Sequence, residues 1–372
     1  MKLLYGVIGC GMMGQEHLRN IALLPEADVI AIFEPDATMR QRAAEIAPRA
    51  IFVNSIGELL QINDINCLLI ASPNHVHLSQ LEEVAERRPL PVLVEKPLFT
   101  RVDEIPRVKA LRERYPAPIW VAMEYRYMPP VARLIDEAEE ATGGIRMLTI
   151  REHRFPFLTK VDNWNRFNDQ TGGTLVEKCC HFFDLMRHIL KSDPIRITAS
   201  GGQAVNHLDE VHGGRRADVW DHAYVLVDFM SGARAMLELC MFAEGARYQE
   251  EISAIGPNGK IECKVPGPGR FWPRALGAPP VAQVILSPRE PKGPRKLEIP
   301  VDPRLLEAGD HNGSTFYQHQ RFQRAVAGQA PVEVTLDDGL WAAFMGQAAQ
   351  EAAISGQVVT LRSIERQEPV EA

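Results

Sequence analysis

Residues 3–14 read LLYGVIGCGMMG, an apolar run that closes on three glycines spaced G-x-G-x-x-G. A run this apolar marks a strand buried on both faces, as the strands of parallel sheets are. Gly9, Gly11 and Gly14 let the chain turn tightly, and QEHLRNIALL then follows with helical spacing. A helix starting there aims the backbone N–H groups around Met12 and Met13 at any anion beside the turn. The glycine spacing alone is a weak signal. Between a buried strand and a helix it reads as the pyrophosphate-binding turn of a dinucleotide fold.

The alternation continues. VIAIF, CLLIAS, PVLVE and IWVAM read as further buried strands, with helix candidates such as VHLSQLEEVAER between them and another over 130–141. After Gly144 the texture changes. IRMLTIREH, HAYVLVDF, ARAMLELCMF and EEISAIG succeed one another with turn signals at MSGAR and GPNGK, which argues for antiparallel strands. Residues 265–303 are rich in Pro and Gly and read as loop with short edge strands, followed by helices near 313–328 and 336–355. The expected architecture is α/β: an N-terminal Rossmann dinucleotide-binding domain over 1–124, then an α+β substrate-binding and oligomerisation domain over 125–372 with a largely antiparallel, open-faced sheet. A sheet covered on one side leaves a broad face to bury, and apolar positions in LVDF and MLELCMF suit a homo-oligomer, dimer or tetramer.

Composition narrows the setting. The formal net charge of −7 over 372 residues offers no general attraction for nucleic acid or anionic membranes. No run is long enough to span a bilayer, and MKLLYGVIGCG enters a strand without a secretory pattern. The six cysteines form no Cys-x-x-Cys pair and no framework spacing, so reduced thiols in a cytoplasm are expected.

Three further segments carry chemistry. Glu34 ends the second strand twenty residues beyond Gly14, where a carboxylate accepts from both ribose hydroxyls and repels a 2′-phosphate. NAD is therefore expected over NADP. ASPNHVH (71–77) follows the fourth strand and VLVEKPL (92–98) ends the fifth, so both fall at carboxyl ends, where open α/β sheets bind ligands. Pro97 confines Lys96 to extended geometry. Held beside a nicotinamide, Lys96 donates to a substrate hydroxyl, or takes its proton if burial lowers the lysine pKa. The third segment, GGTLVEKCCHFFD (172–184), has two readings. Thr174-x-x-Glu177 is a capping-box pattern, whereas Glu177 and His181, four apart on a helix face, suit acid–base work. Cys179 and Cys180 next to His181 point about 100° apart on a helix, so the three do not converge on one tetrahedral ion, and no metal is expected.

Together these motifs, namely Gly9-x-Gly11-x-x-Gly14, Ser72-Pro73-Asn74 with His77, Glu95-Lys96-Pro97, and Gly172-Gly173 followed by an acid and a histidine four apart, resemble the glucose–fructose oxidoreductase / inositol dehydrogenase / MocA family. The similarity extends to MEYRYMPPVARL (123–134) and the stretch 342–361. It implies NAD bound by the glycine turn, Glu34, Ser72, Pro73, Asn74, His77, Glu95 and Lys96. It also implies a proton-transfer site of Lys96, His181 and the acid, although the family's usual aspartate is Glu177 here. Which of Lys96 and His181 is the base stays open, and Asp184 is given a packing role. Positions resembling Tyr125, Arg126 and His153 line the pocket of inositol-oxidising relatives, and Trp164 belongs to a second polar–aromatic group. With Trp220-Asp221-His222 and Asp310-His311-Asn312 these suit a small polyhydroxylated substrate.

The expected activity is oxidation of a secondary hydroxyl of a sugar or inositol-like cyclitol by hydride transfer. The rival readings are a redox-assisted glycosidase, a ketone or imine reductase, and a non-catalytic nucleotide sensor.

Overall fold

The structure, a computed structural model, describes residues 1–361. Six strands form the first sheet: β1 (Leu3–Ile8), β2 (Ala27–Phe33), β3 (Ile51–Val53), β4 (Cys67–Ile70), β5 (Val92–Val94) and β6 (Ile119–Val121). All neighbours are parallel, in the order β3-β2-β1-β4-β5-β6. Between them run α1 (Met12–Ile21), α2 (Ala37–Ile46), α3 (Ile56–Leu60), α4 (His77–Arg87) and α5 (Ile105–Arg114). Because helices cover both faces, every residue of β4, β5 and β6 is buried, hence their unbroken apolar sequences. The order reverses between β1 and β4, and such a sheet opens a ligand crevice at that reversal, beyond the carboxyl ends.

Helix α6 (Pro129–Thr142) bridges to the second sheet and stops at Gly143, whose φ of 67° suits a left-handed cap. The second sheet takes β7 (Met147–His153) and β8 (Pro194–Gly202). After a small ribbon of β9 (Val211–His212) and β10 (Arg215–Arg216), it adds β11 (His222–Phe229), β12 (Arg234–Cys240), β13 (Glu250–Gly256) and β14 (Gly259–Val265). Its edges are β15 (Ala282–Pro288) and β16 (Arg295–Ile299) on one side and β17 (Val359–Thr360) on the other. The order is β16-β15-β14-β13-β7-β12-β11-β8-β17, antiparallel except for the parallel pair β7 and β12. MSGAR and GPNGK are the β11–β12 and β13–β14 hairpin connections, and the Pro/Gly-rich segment carries β15 and β16. One face is covered: α6 packs on β13, β14 and β15, and the last helix, α12 (Leu336–Ser355), on β8. On β11, Ala223, Val225, Val227 and Phe229 are buried while Tyr224 and Leu226 stand exposed on the other face.

The remaining helices are α7 (Asn168–Thr171), α8 (Thr174–Glu177), α9 (Cys180–Leu190), α10 (Pro303–Ala308) and α11 (Ser314–Val326). Helix α12 joins the two halves. A Cβ on Gly339 would come within 2.9 Å of Val121 on β6, and one on Gly346 within 2.6 Å of the Leu175 carbonyl on α8. Two glycines thus let one helix press on both the first sheet and the GGTLVE segment, fixing the distance between them. Among the described residues no helix is long and apolar enough to cross a membrane.

Candidate active site

The glycine turn divides its labour. Gly9 has φ of 87°, and a Cβ there would lie 2.7 Å from the Ser72 backbone; a Cβ on Gly14 would lie 2.5 Å from the Gly9 carbonyl oxygen. A Cβ on Gly11 would meet nothing within 4 Å. Gly9 and Gly14 therefore serve the packing of turn and helix, while Gly11 keeps the approach open. Gly11 is the N-cap of α1, and no side chain caps that helix. Free N–H groups under an open approach fit a pyrophosphate. Met12, exposed, and Met13 flank this opening. Glu34 is buried at the end of β2; its carboxylate accepts from the Cys10 N–H at 2.5 Å and the Asp36 N–H at 2.8 Å. Burial pushes its carboxyl above the usual range.

Two loops at the carboxyl ends of β4 and β5 are fastened together. The His77 ring is buried, with Nε2 2.9 Å from the Ser72 carbonyl and Nδ1 2.9 Å from the Pro97 carbonyl, so it ties the loops to each other. The Ser72 hydroxyl donates to Gln80 at 2.5 Å, and Pro73 caps the turn that carries Asn74. Glu95 turns inward and accepts from His17 Nε2 at 2.8 Å. Behind it His319 Nε2 donates to His17 Nδ1 at 2.8 Å and the Tyr5 hydroxyl to His319 Nδ1 at 3.0 Å. With donors assigned in that direction every link is satisfied.

Lys96 reaches across to the later segment, its Nζ donating to the Glu177 backbone carbonyl at 3.0 Å. That carbonyl lies where α8 ends and before α9 begins at Cys180. Two expectations for this stretch are corrected here. Thr174 and Glu177 form no capping box: the N-cap is Gly173, and the Thr174 hydroxyl donates to the Trp220 carbonyl at 2.8 Å. Nor do Glu177 and His181 share one helix. The Glu177 carboxylate is buried in an ionic cluster, accepting from Lys160 Nζ at 3.1 Å and from the Asn74 amide. Burial alone would raise its pKa, but Lys160 and Lys96 bring it down to about 2.

The electrostatics separate the two candidate bases. For Lys96, burial opposes the charge but Glu177, Cys180, Glu95 and Glu124 outweigh it, and the ammonium is held above its ordinary range. The supposition that burial would free Lys96 to act as a base is thus reversed by the surrounding acids. The His181 imidazole moves the other way: burial, then Lys96, Lys178 and His311, hold it well below the ordinary histidine value. In one site an ammonium of this kind can donate to a developing alkoxide, and a neutral imidazole can accept the hydroxyl proton. Burial pushes Cys180 up to about 12 and holds Cys179 well above the ordinary thiol value, so neither is a thiolate at neutral pH.

The residues expected around a substrate distribute unevenly. Tyr125 stacks on His181 with centroids 4.1 Å apart and planes at 7°, and its hydroxyl accepts from Lys178 Nζ at 2.6 Å. Trp164 packs near His75, with Lys160 Nζ 4.3 Å from its ring centroid. Arg126 is corrected: its buried guanidinium is consumed by Asp184 and the Glu333 carbonyl, a fold-holding pair that also accounts for Asp184. His153 is corrected too. It lies on the outer face of β7, 2.9 Å from Glu238 on β12, because β7 buries Leu148, Ile150 and Glu152 in alternation. Glu152, one residue earlier, faces inward and pairs with Lys178 at 2.9 Å. Asp221 accepts from the backbone N–H groups of Ala204, Val205 and Asn206, and so shapes a loop.

Glu124, Lys160, Lys178 and Glu16 are not singled out by the sequence, and Glu152 stands out there only within the polar run Arg151-Glu152-His153-Arg154. Two have a legible signal: Glu152 by alternation along β7, and Glu124 by standing past the end of β6 as Lys96 does past β5. Glu16 sits on α1 and accepts from His311 Nδ1 at 2.7 Å and Thr315 at 2.9 Å, joining partners almost three hundred residues apart.

Comparison with known proteins fits this geometry. Residues 3–123 match the model described as "Oxidoreductase family, NAD-binding Rossmann fold", and residues 138–361 that of "Oxidoreductase family, C-terminal alpha/beta domain". The chain is 22% identical to the uncharacterized oxidoreductase YrbE of Bacillus subtilis, covering 98% of both. It is likewise 22% identical to a myo-inositol 2-dehydrogenase of Thermotoga maritima, over 96% of this chain and 98% of that one. Among solved structures, GenD2 from gentamicin A biosynthesis, in complex with NAD, superposes with a TM-score of 0.77 at 20% identity, covering 97% of each chain.

Proposed function

The chain belongs to the glucose–fructose oxidoreductase / inositol dehydrogenase / MocA family of oxidoreductases, and from that premise we propose that it oxidises a secondary hydroxyl of a sugar or cyclitol using NAD⁺. The observation that carries this reading is a buried imidazole, His181, whose charge is opposed by burial and by Lys96, while the Lys96 Nζ is itself anchored on the Glu177 carbonyl. Bound NAD⁺ supplies the hydride acceptor. Gly11 and the α1 N-terminus, in the turn that Gly9 and Gly14 pack, would hold its pyrophosphate, and Glu34 would take the ribose hydroxyls and disfavour a 2′-phosphate.

At the reacting carbon His181 accepts the hydroxyl proton as hydride departs. Lys96 donates to the oxygen that becomes the carbonyl, and the Glu177 carboxylate keeps Lys96 charged and Lys160 in place. Tyr125 fixes the plane of the imidazole by stacking. The hydroxyl-matching groups around this centre, Lys178, Lys160, Asn74 and Trp164, suit a polyol better than an apolar substrate. Residues 1–124 form the cofactor unit and the remainder the substrate and oligomerisation unit, whose exposed sheet face joins copies of the chain.

The test is NAD⁺ and NADP⁺ reduction over a panel of inositols, hexoses, pentoses and their acids. At least one polyol is expected to yield NADH, with kcat/KM for NADP⁺ lower by about tenfold or more, since an acid facing a phosphate costs upwards of about 1.4 kcal/mol. Reduction of neither nucleotide by any member overturns the reading. Release of an aglycone without net NADH identifies the glycosidase instead.

A further inference from the structure

A buried base that accepts one proton per turnover must be emptied. His181 is 2% exposed and has no direct outlet. Beside it stands Glu124, 1% exposed, in the 3₁₀ turn Glu124–Tyr127 just past β6. Neither carboxyl oxygen of Glu124 has a hydrogen-bond partner among the described residues, and neither has His181 Nδ1. Glu124 Oε1 lies 3.8 Å from His181 Nε2 and 4.0 Å from His311 Nε2. The His311 side chain is 20% exposed, and its other nitrogen is fastened to Glu16 at 2.7 Å. A buried carboxyl left without a hydrogen-bond partner destabilises the fold. One held between a buried imidazole and a solvent-reaching one has a reason to be there.

We propose that Glu124 is a positioning residue for proton release, accepting the proton that His181 has taken from the substrate and passing it to His311 at the edge of the site. The inference rests on the reading of His181 as base. In balance, the alcohol loses hydride to the oxidised nicotinamide and its hydroxyl proton to His181, and the C–O bond becomes C=O. The imidazolium formed at His181 transfers its proton to the Glu124 carboxylate and is neutral again. Glu124 then yields that proton to His311 Nε2, as His311, charged at rest, gives its own Nε2 proton to water. The distances are slightly longer than hydrogen bonds, so a small side-chain shift or one bridging water completes each transfer.

The surroundings set the pH at which this works. Burial and then Glu95 push the Glu124 carboxyl up to about 7, with His311 and Lys96 opposing; His181 and the Cys180 thiol also face it. Glu16 keeps His311 charged up to about 9 against the effect of burial. Below about 7 Glu124 is already protonated and cannot accept. Turnover should therefore rise with pH through that value.

Two measurements on the full-length protein test this. In the first, infrared difference spectra follow the protonated-carboxyl band across pH. A band titrating near neutrality that disappears in Glu124→Gln and shifts in His311→Asn is expected; its absence, or a titration indifferent to His311→Asn, overturns the proposal even if no substrate is known. In the second, kinetics with myo-inositol as the probe alcohol compare wild type, Glu124→Gln and His311→Asn. Glu124→Gln should lose about 10²-fold in kcat, within the ordinary span for a proton-transfer partner. KM should change little, the acid limb should vanish, and added imidazole should restore part of the rate. Wild-type kcat and pH profile in Glu124→Gln overturn the proposal. Failure of the wild type to oxidise any polyol defeats the assigned reaction instead, leaving the infrared result to judge the path.

Discussion

An imidazole serves as a base only while it is neutral, and His181 owes its neutrality to burial and to the cations Lys96, Lys178 and His311 around it. Its substitution should therefore act on rate rather than on binding. His181→Asn is expected to lower kcat by about 10²–10⁴-fold, the usual contribution of such a group, with its NAD⁺ affinity kept, and Lys96→Met to lower kcat by a similar factor. Initial rates together with fluorescence titration of NADH check the pair. The Glu16–His311 pair makes a separate prediction about stability. His311 is raised from about 6.5 to about 9, so its contribution is complete below about 6.5 and is lost as pH rises through 9. Glu16, lowered to about 2, contributes above about 4.5 and loses its contribution only as pH falls through 2. Thermal melts between pH 6 and pH 10 should show an alkaline decline in the wild type that is shallower in His311→Asn.

The turn between β1 and α1 allows packing and cofactor contact to be separated by substitution. Gly9→Ala forces a Cβ against the Ser72 backbone at positive φ and should lower the melting temperature. Gly11→Ala meets open space at φ −64°, so the fold should be kept while NAD⁺ binding weakens by about tenfold or more, as expected if the lost approach is worth at least about 1.4 kcal/mol. Equal melts and equal affinities would contradict this division of roles. This turn is legible in the sequence because strand, glycines and helix are contiguous there. So are β7, β11, β12 and β13, whose period-two patterns survive intact. The β3 strand does not stand out, because it lies at the sheet edge and buries only Val53 of its three residues. Glu177 reads as a cap in the sequence because its partners, Asn74, Lys160 and Lys96, lie 103, 17 and 81 residues away. His153 stands out there only by a loose resemblance, although the alternation of Leu148 and Ile150 already assigns the inner face to position 152.

Across the molecule, α12 is the piece that brings the two sheets into one working unit. It touches β6 and α8 at glycines, and so holds the Lys96 loop opposite the GGTLVEKCCH segment. The outer face of the second sheet is left with Tyr224 and Leu226 more than half exposed at 57% and 56%, and with Met147 at 55% two strands away on β7. Exposed apolar side chains of that size suit burial against a second copy, which substitution can test. Leu226→Glu is expected to reduce the solution mass measured by light scattering towards that of a single chain, leaving the NAD⁺ affinity of the Rossmann unit in place. An unchanged mass would remove the sheet face as the interface.

The claim on which the rest depends is that Lys96 and His181 meet over one nicotinamide. A crystal structure with NAD⁺ bound tests it most directly. The account predicts the pyrophosphate over Gly11 and the nicotinamide ring at the carboxyl end of β5, with Lys96 Nζ and His181 Nε2 both beside the space above its reactive carbon. A nicotinamide lying away from either side chain, or a dinucleotide seated elsewhere, would contradict it.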